Sequence, residues 1–119
     1  MTTLFGIRNC DTVRRARAWL AGHSVEYRFH DFRLDGLDSE TLSRWVDTVG
    51  FERLVHRRGT SWRKLPQPAR ENLTEGTAMA LMLDNPTLIR RPVLETDARL
   101  LVGFQEREYA SLIQPNREG

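Results

Sequence analysis

Short segments of distinct periodicity follow one another along the chain. Thr3 to Ile7 is a compact, mostly apolar run and predicts a short strand. From Asp11 to Ala21, Val13, Ala16 and Leu20 recur at i, i+3 and i+7, which is one face of a helix. Gly22 is placed to stop that helix in the left-handed conformation. Val25, Tyr27 and Phe29 then alternate with Glu26, Arg28 and His30, the period of a half-buried strand suited to a sheet edge. Strand, helix and strand in that order leave a connection long enough for a right-handed parallel crossover.

The middle of the chain reads as helical. Asp35-Gly36 is a turn signal, and Asp38 is a good N-cap with Leu37 and Leu42 spaced as a hydrophobic staple. Leu42, Trp45, Val46 and Val49 form an apolar stripe that Gly50 ends. Phe51 to Val55 suits a short helical turn, and Pro66 and Pro68 are expected to break the pattern. A further helix is predicted from about Thr74 to Leu83, with Ala78, Leu81 and Met82 inward and Asn85-Pro86 closing it. The last third turns to β. Val93 to Thr96 and Leu100 to Phe104 flank Asp97-Ala98-Arg99 as an antiparallel hairpin. Glu106 to Ile113 then predicts a final helix with Tyr109, Leu112 and Ile113 on one face, and the tail from Pro115 to Gly119 is expected to fray. The order is βαβ, a helical stretch, then ββα, an α/β chain.

Composition fits one soluble domain: 119 residues, 39% hydrophobic and 29% charged. It excludes a coiled coil, a collagen-like chain and wholesale disorder. No apolar run approaches a membrane span, and Met1 to Cys10 lacks a signal-peptide core, so no membrane association is expected. A single cysteine excludes an internal disulfide and a cysteine-rich zinc site, and it suits a reducing, cytoplasmic location. Basic residues number 18 against 16 acids, and Lys64 is the sole lysine. Compositional habit accounts for that bias as readily as selection for the planar guanidinium fork does.

The one thiol stands between a predicted strand and a predicted helix. A helix start exposes unpaired N–H groups and a partial positive charge, both of which favour thiolate over thiol. Arg8, Arg14 and Arg15 lie near Cys10 in sequence and add positive potential. Cys10 is therefore the candidate nucleophile of the chain. Two other readings fit the same position: a buried structural cysteine packing as a small hydrophobe, and an anion-binding helix start. Val13 stands where a Cys-x-x-Cys motif would place its second thiol, so any redox turnover needs an external one.

His23, His30 and His56 show no ligand spacing with one another or with Cys10, so no metal site is expected. From Arg53 to Arg70 the chain carries Arg53, Arg57, Arg58, Arg63, Lys64 and Arg70 and no acid. That stretch suits an anion pocket, a docking surface for an acidic partner, or simply a solvated face. Too few aromatics accompany it for a nucleic-acid platform, so no direct nucleic-acid binding is expected. Arg90-Arg91 precedes Pro92, the one kind of bond at which a cis peptide is cheap.

Four segments together resemble the arsenate-reductase-related (ArsC/Spx) family, and within it the YffB-like branch. They are Leu4-Phe5-Gly6-Ile7-Arg8-Asn9-Cys10-Asp11-Thr12 with Ala16-Arg17 and Trp19-Leu20; Tyr27 to Arg33 with Asp35-Gly36-Leu37; Arg58-Gly59-Thr60-Ser61-Trp62-Arg63-Lys64-Leu65; and Ile89-Arg90-Arg91-Pro92. The resemblance spans roughly residues 3 to 113. It implies one thioredoxin-like, ArsC-type domain over 1–119, with a mixed four-stranded sheet and a helical insertion, about 38–86, between the second and third strands. It implies that Cys10 is the active-site cysteine. It also implies a cis bond at Arg91–Pro92 close to Cys10, with the backbone before the proline pairing with a bound peptide or glutathione, and Arg91 at an oxyanion-binding position.

Some positions depart from the arsenate reductases of the family. Gly6 stands where they carry a His four residues before the cysteine, and Val13 where they carry a Ser three residues after it. Their two other anion-binding arginines fall near His56, beside Arg57 and Arg58, and near Gly103. These departures argue against arsenate as substrate. The resemblance implies instead a glutathione-dependent thiol reductase with Cys10 as nucleophile. Asn9, Thr12, Arg58, Arg91 and Pro92 line the substrate, glutathione or another external thiol is the co-substrate, and the oxidised substrate is unknown. The alternative it carries is an Spx-like regulator that binds RNA polymerase without catalysis.

Overall fold

The structure is a computed structural model that describes residues 1–113. The expected fraying segment, Pro115 to Gly119, lies outside the described residues. Strand β1 (Thr3–Gly6) leads to helix α1 (Asp11–Gly22) and strand β2 (Arg28–Asp31). Seven helical segments follow: α2 (Phe32–Asp35), α3 (Ser39–Val49), α4 (Phe51–Leu54), α5 (Thr60–Arg63), α6 (Gln67–Glu71), α7 (Glu75–Asp84) and a 3-10 turn (Pro86–Leu88). Strands β3 (Val93–Glu95) and β4 (Leu100–Val102) and helix α8 (Glu106–Ile113) complete the described chain. The four strands form one mixed sheet in the order β2-β1-β3-β4, with β1 antiparallel to β3 and β3 antiparallel to β4. Among the described residues no helix is long and apolar enough to cross a membrane.

Backbone contacts divide the chain into two compact units. The first holds Met1–His30 and the segment from Arg91 onward. Its core gathers Leu4, Ala16, Leu20, Leu94, Leu101 and Tyr109, with Trp19, Val25, Tyr27, Phe29, Phe104 and Leu112 packed against them. The fully buried leucines contribute roughly 1.5–3 kcal/mol each. Tyr109 meets Trp19 and Phe104 edge-on at ring-centroid distances of 5.6 and 4.8 Å, a geometry that adds to simple burial. Arg17 lies 4.2 Å from the Phe29 ring centroid and donates from Nε to the Tyr27 hydroxyl at 3.1 Å.

The second unit, Asp31–Arg90, is helical. Asp38 caps α3 by accepting from the Thr41 amide at 2.8 Å, and Leu42, Trp45 and Val46 are buried. Thr74 caps α7 reciprocally with Thr77, and Ala78 and Met82 are buried. Asn85 ends α7 and accepts from the Thr87 amide, opening the 3-10 turn. The Thr87 hydroxyl spends its proton on Asn85 Oδ1 at 2.6 Å, so it accepts from Ser61 Oγ, also at 2.6 Å. That relay ties α5 to the turn.

Four local expectations are corrected. The left-handed residue after α1 is Ser24 (φ 58), not Gly22, which is still helical. The Ser24 amide donates to the Ala21 carbonyl and the Val25 amide to the Leu20 carbonyl, a Schellman end in which Val25 also packs with Leu20. Strand β2 begins only at Arg28, because Val25 serves that helix end first. Pro66 and Pro68 start a helix rather than breaking one: Pro66 is the N-cap of α6 and Pro68 sits in its first turn, where a missing N–H costs nothing. Ile113 is 41% exposed, so the inward face of α8 consists of Tyr109 and Leu112.

Tyr109 is fully buried, and its hydroxyl has no hydrogen-bond partner among the described residues. Burial pushes its phenol above the ordinary range, and the neighbouring Glu108 charge adds to that. The unfolded chain therefore ionises this phenol first, and stability falls as pH rises past about 10. Tyr109→Phe should be no less stable than wild type at neutral pH in urea titrations, because it removes an unsatisfied buried hydroxyl worth about 1–3 kcal/mol. It should also keep its stability above about pH 10 where wild type loses it. A variant that unfolds earlier at neutral pH shows that the hydroxyl is satisfied.

Candidate functional site

Cys10 is the N-cap of α1. Its backbone is extended (φ −114, ψ 125), and its carbonyl accepts the first helical bond from the Arg14 amide at 2.9 Å. Its side chain makes no capping hydrogen bond and is partly exposed. The sulfur is thus neither spent on the helix nor sealed in the core, which removes the reading of a buried structural cysteine. Asn9 is exposed and Thr12 half-buried in the first turn. Arg14 forms an ion pair with Asp11, so its charge is shared within that turn. Arg15 Nη2 reaches the Thr12 hydroxyl at 3.5 Å.

The sheet register places the second group of candidates. Thr3 pairs with Glu95, Leu4 with Leu94 and Phe5 with Val93. Continued past the last pair, the same register sets Gly6 level with Pro92 and Ile7 level with Arg91. The strand end that leads to Cys10 and the segment that enters β3 therefore share one end of the sheet. The Arg91–Pro92 bond is cis; Arg91 is half-buried and Pro92 buried. The Gly103 amide donates to the Pro92 carbonyl at 2.8 Å, which brings the end of β4 to the same place.

Asn9, Cys10, Thr12, Arg91 and Pro92 thus belong to the first unit, at this end of its sheet. Arg58 is exposed and belongs to the second unit, in the loop between α4 and α5. There a Cβ on Gly59 would stand 2.6 Å from His56 Cδ2, so a larger residue would require the His56 ring to move.

Sequence reading noted Gly6 and Val13 as separate departures; in space they are one contact. A Cβ on Gly6 would lie 2.7 Å from Val13 Cγ2 and 3.2 Å from Cγ1, and Val13 is fully buried. The first turn of α1 rests directly on the end of β1, and the thiol is carried between them. A His at position 6 would bring a Cβ onto these methyls, and Val13 or the backbone would have to shift. Gly103 also has a backbone reason: its φ of 83 lies in the region that side-chain-bearing residues rarely adopt. Neither constraint leaves a mark in one sequence beyond the small residue itself.

The ArsC family model matches residues 5–112. The chain belongs to the ArsC family. It is 44% identical over 109 residues to an uncharacterized protein of Haemophilus influenzae, an alignment that covers 92% of this chain and 96% of the other. It is 32% identical over 115 residues to the global transcriptional regulator Spx of Streptococcus agalactiae, covering 95% of this chain and 83% of that one. Among solved structures, a YffB protein of 43% identity superposes with a TM-score of 0.92 over 96% of this chain and all of its own. The ArsC-family chain accordingly has the thioredoxin-like, arsenate-reductase-like fold, and Spx regulators are among its relatives.

The Gly6–Val13 contact predicts non-additive mutations. Gly6→Ala should cost about 1–3 kcal/mol in urea unfolding, and distinctly less in a Val13→Ala background, where the methyls it strikes are gone. Equal costs in the two backgrounds contradict the contact.

Proposed function

We propose that this ArsC-family chain is a glutathione-dependent thiol reductase that works through Cys10 alone. The observation that carries the reading is a single, partly exposed thiol at the start of α1 whose side chain caps nothing. In the first step the Cys10 thiolate attacks the glutathionyl sulfur of an oxidised substrate, RS–SG. The S–S bond breaks, the electron pair leaves with RS⁻, which takes up a proton, and Cys10 becomes a mixed disulfide with glutathione. In the second step the thiolate of a second glutathione attacks the glutathionyl sulfur on Cys10 and releases glutathione disulfide and the Cys10 thiolate. The sum is RS–SG plus GSH giving RSH plus GSSG, and no second cysteine takes part.

Asn9, Thr12 and the first-turn amides of α1 are the groups proposed to orient the anionic substrate. Arg91, entering β3 at the same end of the sheet, is proposed to neutralise it, with Pro92 shaping the floor. Arg58 is included through the resemblance of its own segment. Arsenate is the poorer substrate, since Gly6, Val13 and Gly103 depart from the residues that arsenate reductases use. The chemistry suits a reducing cytoplasm with abundant glutathione.

A second reading is a non-catalytic, Spx-like regulator that binds RNA polymerase, favoured by the 32% identity to a protein of that name. Val13 removes the second thiol of a Cys-x-x-Cys switch, so such a regulator would not respond to disulfide formation within the chain.

Cys10→Ser should abolish glutathione-coupled reduction of mixed disulfides in a panel assay, while Arg91→Gln should lower kcat/KM by about 10–100-fold without loss of fold. Full activity in Cys10→Ser refutes the enzyme reading. Purified RNA polymerase retained equally by wild type and Cys10→Ser, with no reductase activity in either, establishes the regulator.

A further inference from the structure

In the second unit positive charge is segregated in the sequence and held on a fixed scaffold. Asp31–Arg90 contains nine acidic and nine basic residues, yet residues 53–70 hold six of the bases and none of the acids. Arg53, Arg57, Arg58, Arg63 and Lys64 are exposed, and none of them forms an ion pair among the described residues. Arg57 lies over the Trp62 ring at 5.2 Å from its centroid, and Arg63 Nη2 donates to the Arg58 carbonyl at 3.1 Å. Those two contacts set Arg57 against the half-buried indole of Trp62 and tie the Arg63 guanidinium to the Arg58 backbone.

The ground beneath the cluster is fixed at both ends. Val55 bridges Ile89, the His56 amide donates to Leu88 and the Arg90 amide to Leu54, each of the two hydrogen bonds 2.7 Å long. At the other end the Ser61–Thr87–Asn85 relay holds α5. Further along, the Nε of half-buried Arg70 is enclosed without an acceptor among the described residues. The backbone that carries the cluster is thus held in place, and the contacts of Arg57 and Arg63 restrain those two side chains before a ligand arrives.

We propose that this arginine cluster is a docking surface for an acidic peptide segment of a partner protein. Planar guanidinium forks match carboxylates in pairs, and five of the six basic residues of the segment are arginine. A nucleic acid fits less well. The Trp62 face that a base would stack on is covered by Arg57, and the sequence on either side of the segment, 31–52 and 71–90, holds all nine acids of the unit. A short carboxylate-rich stretch needs only the local patch. This surface goes beyond the Cys10 chemistry and does not rest on it.

The probe is a fluorescein-labelled peptide of alternating Glu and Ser, titrated with the full chain and read by anisotropy. Wild type should bind it and lose affinity as salt rises. Arg57→Glu/Arg63→Glu should bind about tenfold or more weakly and should gain binding to the matching Lys-Ser peptide, which also reports an intact fold. Arg57→Gln/Arg63→Gln, with an unchanged circular dichroism spectrum, should lose most of the binding. Cys10→Ser should bind as wild type, so failure of the reductase reading and failure of this one are read separately. Absence of binding in wild type, equal binding in the neutralised variant, no gain for the swapped one, or tighter binding of an oligodeoxynucleotide of equal charge overturns the proposal.

Discussion

The close approach of Gly6 to Val13 is the constraint on which the end of the sheet that carries Cys10 depends. A strand end and a helix start can lie this near only where one of them lacks a Cβ. The buried methyls of Val13 then take the place that the missing side chain leaves. Everything between the two residues must fit the short span they allow: an exposed Arg8 and Asn9, and a cysteine with extended backbone at the helix cap. The thiol is presented by backbone packing, with no side-chain bond holding it.

The same contact distinguishes this chain from the arsenate reductases of its family. A His before the cysteine and a Ser after it are replaced together by a glycine and a valine that touch. Position 103, near a further anion-binding arginine of those enzymes, here carries a glycine in left-handed backbone whose amide is bonded to the Pro92 carbonyl. Two polar groups of an oxyanion site are thus exchanged for packing, and a third for a turn. Asn9 and Thr12 flank Cys10 in the chain, and Arg91 enters β3 at the same end of the sheet.

Much of the fold was legible because its elements obey local rules. The stripe Leu42-Trp45-Val46, the Asp38 cap and the hairpin around Asp97-Ala98-Arg99 appear where periodicity and turn chemistry put them, and the opening keeps its strand–helix–strand order. What was not legible depends on partners distant in sequence or on exact backbone geometry. The left-handed stop after α1 falls at Ser24, where the Val25 amide closes on the Leu20 carbonyl and Val25 joins the core, a match the glycine rule does not weigh. Pro66 and Pro68 were read as breakers although proline is equally at home in a first turn. The position of Cys10 at a helix start is legible from the sequence pattern on either side of it. The cis Arg91–Pro92 bond is implied by the family resemblance, and the sheet register adds that this segment lies level with the end of β1. The steric pairing of positions 6 and 13, and that of Gly59 with His56, needed coordinates.

If the fold turns an isolated cysteine into a one-thiol exchange centre, as proposed, intact-mass kinetics with glutathione disulfide will register it. The folded chain should take up a single glutathione at Cys10, and added glutathione should discharge it, both steps running faster than in a peptide spanning residues 6–14 at the same pH. Rates equal to or slower than those of the peptide would show that the scaffold contributes nothing to the chemistry of Cys10, and would contradict the account.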